Sequence, residues 1–154
     1  MEGRVVQVNV NPAGGVPKQP VAFAIITEQG VTGDKQRDRR FHGGPQRAVS
    51  LYSAEHIAAL QAEGHPISAG STGENLTISG IGWHTLAVGT RLQIGEHVQL
   101  EITGYAAPCK NIIASFIDGT FTRISQKVYP GWSRLYARVL CAGPVHVGDS
   151  VRLL

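Results

Sequence analysis

Short runs in which hydrophobic and polar residues alternate recur along the whole chain, and this pattern predicts β-strands. The first run, Val5–Val10, predicts a half-buried strand with Val6, Val8 and Val10 on one face and the intervening polar residues on the other. A second run, Pro20–Glu28, completes an early hairpin. Similar runs predict further strands at Ala48–Tyr52, Glu74–Ile78, Thr90–Gly95, Val98–Thr103, Leu135–Val139 and Val151–Leu154. Thr90–Gly95 and Val98–Thr103 are close enough in sequence to form a hairpin.

One segment shows a clear helical pattern. Ser53 is a suitable N-cap for a helix that runs through Glu63 and places Ile57 and Leu60 inward, and Gly64 ends it. Helix signals are otherwise few, so parallel strands joined by helical crossovers are not expected.

The number and length of these elements indicate the fold class. Six to eight short strands, one or two short helices, 19 glycines and 8 prolines are typical of a mainly β protein. We therefore expect a closed or nearly closed β-barrel of short strands with one or two short helices. A chain of 154 residues is long enough for one domain, predicted to span residues 1–154.

Composition and charge narrow the function classes. Hydrophobic residues make up 42% of the chain, and no apolar run approaches the length of a membrane span or signal peptide, so a soluble cytoplasmic protein is expected. The net charge of +3 is too small to indicate nucleic acid, and the basic cluster has few interleaved aromatic residues. Two cysteines are too few for a disulfide framework, so both thiols are predicted to be free.

Cys109 is the strongest candidate for chemistry. Pro108 precedes it, Lys110 follows it, and a short helix is predicted over Asn111–Ile117. A cation and a helix N-terminus both stabilise a thiolate, which is able to ligate a soft metal or carry a persulfide. The competing interpretation is a small buried hydrophobic residue. Cys141 lies in an apolar strand pattern and is expected to be that kind of residue.

The polar segment Gly30–Arg47 is the second candidate region. Its glycines and basic side chains suit an anionic group, with backbone N–H groups and arginines as donors. The alternative is a solvated loop whose charges serve solubility. His42 is notable because glycines follow it directly. Four carboxylates are candidate acid–base groups among which spacing does not choose: Asp34, Asp38, Glu74 and Asp149.

These stretches, taken in order, resemble the MOSC family, named for the C-terminal domain of molybdenum-cofactor sulfurases, and in particular its small stand-alone bacterial members. The matching segments are Gly15–Lys18, Gly30–Asp34, His42–Pro45, Thr72–Leu76, Pro108–Lys110, Tyr136–Val139, Gly143 and Gly148–Asp149. Each segment alone is weakly specific, but their succession covers nearly the whole chain. The resemblance implies a β-barrel with short helices, in agreement with the strand pattern.

The resemblance also implies a site. The family's hallmark cysteine is matched by Cys109, which is then implied either to coordinate molybdenum in a pterin-bound cofactor or to carry sulfur as a persulfide. Six residues are candidates for the pocket that binds the cofactor: Lys18, Arg37, His42, Asn75, Lys110 and Arg138.

The activity implied by this resemblance is reduction of N-hydroxylated small molecules. The chain has no flavin or iron–sulfur segment, so a separate electron-transfer protein is expected as partner. Two other functions remain open. One is a sulfur carrier that uses a Cys109 persulfide, and the other is a non-enzymatic module that binds or delivers the cofactor.

Overall fold

The computed structural model describes residues 2–35 and 44–154, which form mainly short β-strands. The strands are β1 (Glu2–Val10), β2 (Gln19–Val21), β3 (Phe23–Thr27), β4 (Gly30–Val31), β5 (Val49–Ser53), β6 (Leu76–Ser79), β7 (Arg91–Ile94), β8 (Val98–Ala106), β9 (Arg134–Cys141), β10 (Gly143–His146) and β11 (Ser150–Leu153). An α-helix, α1 (Ala54–Ala62), follows β5. Short 3-10 segments occupy Pro45–Arg47, Trp83–Thr85, Lys110–Ser115, Ile117–Gly119 and Phe121–Ile124.

Seven strands close into a barrel in the order β11, β7, β8, β9, β5, β6 and β1. Closure is made by antiparallel pairing of β1 with β11, in which Glu2 lies opposite Arg152. The predicted closed, mainly β barrel is thus confirmed. β2 pairs with the C-terminal end of β1, as the predicted early hairpin requires. β3 instead joins β4 and β10 in a separate three-stranded sheet.

The barrel interior is filled by the apolar faces of its strands. Val8, Leu51, Leu76 and Leu100 come from four different strands, and each is fully buried. The predicted hairpin of β7 and β8 is confirmed, with Leu92 directly opposite Leu100. The strand alternation read from the sequence therefore locates most of the core.

The predicted faces of β1 are wrong at two positions. A register shift between Val5 and Gln7 in the pairing of β1 with β6 turns Val6 outward, where 42% of its surface is exposed. Asn9, which was expected on the polar face, is buried and donates hydrogen bonds to the Glu74 carbonyl (3.1 Å) and to Thr77 Oγ1 (3.2 Å). A β-bulge inserts one residue and so reverses the faces that follow it.

The predicted helix is confirmed as α1. Ser53 Oγ accepts a hydrogen bond from the His56 backbone N–H (3.0 Å), and Ile57 and Leu60 are buried. Beyond the helix, Gly64 adopts a φ of +99°. Such a left-handed residue is a common helix stop.

The expectation that the fold lacks a parallel crossover is wrong. β5 and β6 pair in parallel, with Leu51 opposite Leu76, and α1 lies in the connection between them. One helix is sufficient for one crossover, so the scarcity of helix signals excluded repeated βαβ units but not a single one.

Two expectations about the cysteines are also corrected. The predicted helix after Cys109 is a 3-10 segment, Lys110–Ser115, and so short a segment does not supply the helix N-terminal field expected for the thiolate. Cys141 lies at the exposed end of β9 instead of being buried. Both thiols are free, as predicted. Within the described ranges, no helix is long and apolar enough to cross a membrane.

Candidate functional site

A cavity of about 190 Å³ opens beside β5 and β9, between the turn at residues 70–73 and the segment that carries Cys109. Several of its lining side chains are polar, and those able to act on a ligand are Lys18, Lys35, Ser50, Cys109, Arg134 and Tyr136. No carboxylate lies among the described lining residues. The wall is therefore cationic and favours an anionic ligand.

Cys109 is partly exposed and lines this cavity. Its backbone is extended (φ −144°, ψ 178°), and its carbonyl accepts a hydrogen bond from the Ile112 N–H (3.1 Å), which starts the 3-10 segment. In the part of the chain that the structure describes, no three His, Cys, Asp or Glu side chains converge as metal ligands. A metal at Cys109 must therefore bring most of its ligands with it.

Arg134, the first residue of β9, is only 9% exposed and lines the same cavity. Its guanidinium donates to the backbone carbonyls of Thr72 (2.6 Å), Ala106 (3.4 Å) and Ala107 (3.4 Å). Its Nε atom is buried and has no hydrogen-bond partner among residues 2–35 and 44–154. A buried donor without a partner costs about 1–3 kcal/mol, and an anion in the cavity would offset the cost of burying the guanidinium charge.

Lys18 reaches the cavity from the loop before β2, where its ammonium pairs with Asp34 Oδ2 (2.5 Å). The side chains of Lys18 and Asp34 are 10% and 4% exposed. Asp34 also accepts hydrogen bonds from Asn75 Nδ2 (2.9 Å) and from the Asn11 N–H (2.8 Å). These contacts fix the carboxylate, and the carboxylate in turn fixes the Lys18 ammonium at the wall of the cavity.

Asn75 lies behind the wall and is fully buried. Besides its bond to Asp34, its amide group donates to the Asn9 carbonyl (3.2 Å) and accepts from the Ser50 N–H (3.1 Å). Its Oδ1 also lies 3.2 Å from Ser50 Oγ. Asn75 thus links the loop that holds Lys18 to the strand that carries Ser50.

Tyr136 follows Arg134 on the same face of β9, and its ring is covered by the Arg47 guanidinium at 5.2 Å. Burial raises the pKa of the Tyr136 phenol, the nearby charges of Arg134 and Arg47 oppose this rise, and Cys109 adds to it. The phenol is therefore protonated at neutral pH.

Gly73 forms a wall of the cavity with its backbone. Its φ is +87°, and a Cβ atom at this position would lie 2.9 Å from Val16 Cγ1. A glycine is therefore required on both conformational and steric grounds.

The structure brings some of the predicted site residues together. Cys109 and Lys18 line one cavity, and Asn75 supports its wall. Arg37 and His42 lie outside the described residues.

Two other predicted residues do not line this cavity. Arg138 lies farther along β9, where its Nε donates to Glu101 Oε2 (2.7 Å) and its side chain is 40% exposed. Lys110 follows Cys109 directly but is exposed outside the cavity. The ion pair with Glu101 explains why Arg138 extends over the outer barrel surface.

Sequence reasoning missed Arg134, Lys35 and Tyr136 as cavity residues. The alternation of β9 was a usable signal, because it places Arg134, Tyr136 and Arg138 on one face. That pattern identifies one face of the strand, but it does not show which end of the strand lies near Cys109.

Comparisons with known proteins agree with this architecture. A family model described as the MOSC domain matches residues 38–152. YflK of Bacillus subtilis (strain 168) is 31% identical over 143 residues, which cover 91% of this chain and 63% of YflK. A protein named reductase from Gibberella moniliformis is 30% identical over 130 residues, or 81% of this chain and 22% of that protein.

A solved structure shows the same fold. The crystal structure of YiiM from Geobacillus stearothermophilus superposes with a TM-score of 0.74 at 23% sequence identity, covering 99% of this chain and 75% of YiiM. The chain spans less than two thirds of the length of YflK and about a fifth of the fungal reductase.

Proposed function

The chain belongs to the MOSC domain family, and on this premise we propose that its cavity binds the pterin-bound molybdenum cofactor, with Cys109 as the protein ligand to molybdenum. The MOSC domain is associated in general with binding of this cofactor. One observation carries the proposal: the partly exposed Cys109 thiol lines the same cavity as the buried, incompletely paired guanidinium of Arg134.

The residues present fit the chemistry of this group. A thiolate is a soft, charged ligand suited to a heavy transition metal. The cofactor's phosphate requires cations, and Arg134, Lys18 and Lys35 supply them at a wall without described carboxylates.

The proposed activity is reduction of N-hydroxylated small molecules, in which two electrons and two protons convert an N–OH group into N–H and release water. When bound, the cofactor supplies the electron transfer that breaks the nitrogen–oxygen bond. The chain's own part is to hold the reactants. Cys109 would anchor the metal, and Arg134 and Lys18 would bind anionic groups.

The electrons are proposed to come from a separate electron-transfer protein. The sequence contains two cysteines, which is too few to bind an iron–sulfur cluster of the usual four-cysteine type. The similarity to a protein named reductase supports a redox role, although the matched region is 22% of that protein.

Metal analysis tests the ligand assignment. Protein made in a host that synthesises the cofactor is expected to contain molybdenum, and Cys109→Ala is expected to lose it. Cys141→Ala is the matched control, because it removes an exposed thiol outside the cavity. Equal molybdenum in the wild type and in Cys109→Ala would refute the proposal. Turnover is then measured with a reduced viologen dye as electron donor and an N-hydroxylated purine as substrate.

A sulfur carrier is the second candidate function, and the position of the partly exposed Cys109 in a cavity also lined by Arg134 and Lys35 favours it. Such a protein would carry an added sulfur atom on Cys109 after incubation with thiosulfate, whose outer sulfur passes to the thiolate with release of sulfite, and mass spectrometry of the intact protein would detect it. A module that only binds or delivers the cofactor would contain molybdenum and show no turnover with the same donor and substrate.

A further inference from the structure

Glu74 is a fully buried carboxylate that does not line the cavity. It accepts hydrogen bonds from the hydroxyls of Thr72 (3.2 Å) and Thr77 (3.0 Å). Burial raises the pKa of this carboxyl group, and the backbone N–H groups of Gly70 and of Glu74 itself lie close enough to oppose that rise. Burying a carboxylate is unfavourable unless it is hydrogen-bonded. The four donors around Glu74 therefore show which part of the chain its side chain holds in place.

Three of these four donors belong to one short turn, residues 70–74. Two of the donors are the backbone N–H groups at the ends of the turn, and a third is the Thr72 hydroxyl at its centre. Thr77, on β6, supplies the fourth, and its hydroxyl is fixed by Asn9 Nδ2 (3.2 Å). The Glu74 carboxylate therefore supports the conformation of the turn, together with the bond from the Gly73 N–H to the Gly70 carbonyl (3.1 Å).

The turn is also the main support of Arg134. The Thr72 carbonyl accepts the shortest hydrogen bond that the guanidinium makes, at 2.6 Å, against 3.4 Å for the bonds to Ala106 and Ala107. Thr72 and Gly73 themselves line the cavity. The orientation of the Arg134 side chain is thus coupled to Glu74 through a single peptide carbonyl.

We propose that Glu74 is a positioning residue for anion recognition: its carboxylate fixes the 70–74 turn, and the Thr72 carbonyl of that turn holds the Arg134 guanidinium at the cavity. This inference deepens the proposed function and rests on it only for the expectation that the cavity takes an anionic group.

A positioning role and a mere counter-charge role predict opposite results. Thr72 contacts both Glu74 and Arg134, so an ionised Glu74 would offset part of the Arg134 charge, and its removal would by itself make the cavity more attractive to anions. If Glu74 instead positions Arg134, its loss makes the cavity less attractive to anions.

Alkylation of Cys109 measures this attraction directly. The test uses the full chain, made without molybdenum cofactor, in a Cys141→Ser background so that Cys109 is the only thiol. Rate constants are measured for iodoacetate, which is anionic, and for iodoacetamide, which is neutral. The thiolate fraction affects both rates equally, so their ratio reports how strongly the cavity attracts an anion.

We expect Arg134→Met to lower this ratio by about fivefold or more, the factor for a unit charge about 4 Å away even in bulk water. Glu74→Gln is expected to lower it by about threefold or more, although it removes a group that is negative when ionised. Glu28→Gln, at an exposed loop position, is the control and is expected to leave the ratio unchanged.

The double variant with Arg134→Met shows whether Glu74 acts through Arg134. In that background Glu74→Gln is expected to have no further effect on the ratio, because the group that it positions is gone. A ratio that rises or stays unchanged in Glu74→Gln, or that falls equally in the Arg134→Met background, overturns the proposal.

Thr77→Val is a milder variant in case Glu74→Gln does not fold, since it removes one of the four donors and leaves the cavity lining intact. It is expected to lower the ratio in the same direction, and a ratio that is unchanged or raised overturns the proposal. No step of this assay requires the cofactor, so its failure is distinct from a failure of the molybdenum analysis.

Discussion

The buried pair of Lys18 and Asp34 gives a quantitative prediction about the cavity wall. Asp34→Ala removes the carboxylate that pairs with the Lys18 ammonium at 2.5 Å and that accepts hydrogen bonds from Asn75 Nδ2 and the Asn11 N–H. Both charged side chains are at most 10% exposed. The variant therefore leaves an ammonium and two N–H donors without their acceptor.

We expect this change to lower the free energy of unfolding by about 3–5 kcal/mol, the usual cost of removing one partner of a buried ion pair. Lys18→Met is expected to cost less, about 1.5–3 kcal/mol, because the Asp34 carboxylate keeps its two other donors. The double variant is expected to be more stable than the sum of the two single effects predicts, since the two residues interact directly.

Urea unfolding followed by circular dichroism measures all three variants against the wild type. Glu28→Ala is a control that removes one carboxylate from an exposed position, and it is expected to change the stability by less than about 0.5 kcal/mol. A loss below about 1 kcal/mol in Asp34→Ala, or strictly additive effects in the double variant, would refute the conclusion that Asp34 holds Lys18 at the cavity.

Two further predictions concern pH and the cavity wall. Burial against Trp132 lowers the pKa of His56, so the unfolded chain binds a proton that the folded chain does not as the pH falls below about 6.5. The free energy of unfolding is therefore expected to fall from pH 7 to pH 5 by more in the wild type than in His56→Phe, as measured by urea unfolding. Equal shifts of the urea midpoint in the two proteins would contradict this. Gly73→Ala is expected to cost about 1–3 kcal/mol and to slow alkylation of Cys109, because it combines a positive φ with a Cβ contact to Val16; a gain in stability would contradict it.

Elements that depend on neighbouring residues were predictable from the sequence. The β7–β8 hairpin follows from two alternating runs separated by a short turn, and α1 follows from the Ser53 cap and the inward spacing of Ile57 and Leu60. In each case all of the determining residues lie within about a dozen positions, so the local pattern contains the information.

Features that depend on distant pairing were not predictable. Val6 is turned outward by the irregular register of β1 against β6, whose residues are about seventy positions away in sequence. Asn9 is buried because Glu74 and Thr77 satisfy its amide, and an isolated polar residue in a strand gives no sign of such partners.

Some residues of the cavity were predictable from the sequence, but their arrangement was not. The sequence identified Cys109 and Lys18, which line one cavity. It suggested Arg138 where the structure places Arg134 at the cavity, since both arginines lie on the same face of β9. A nearly buried arginine bound to backbone carbonyls is determined by tertiary contacts, which strand periodicity does not encode.

The pairing of β1 with β11 has a consequence for how the protein reaches its native state. The bonds that join Glu2 to Arg152 connect residues from opposite ends of the described chain, and their formation carries a large entropic cost of loop closure. Domains rich in such non-local contacts fold in milliseconds to seconds, far more slowly than helical bundles. We therefore expect refolding to be slow. Until the barrel closes, β1 and β11 each have an edge of unpaired backbone N–H and C=O groups that other molecules in solution are able to contact.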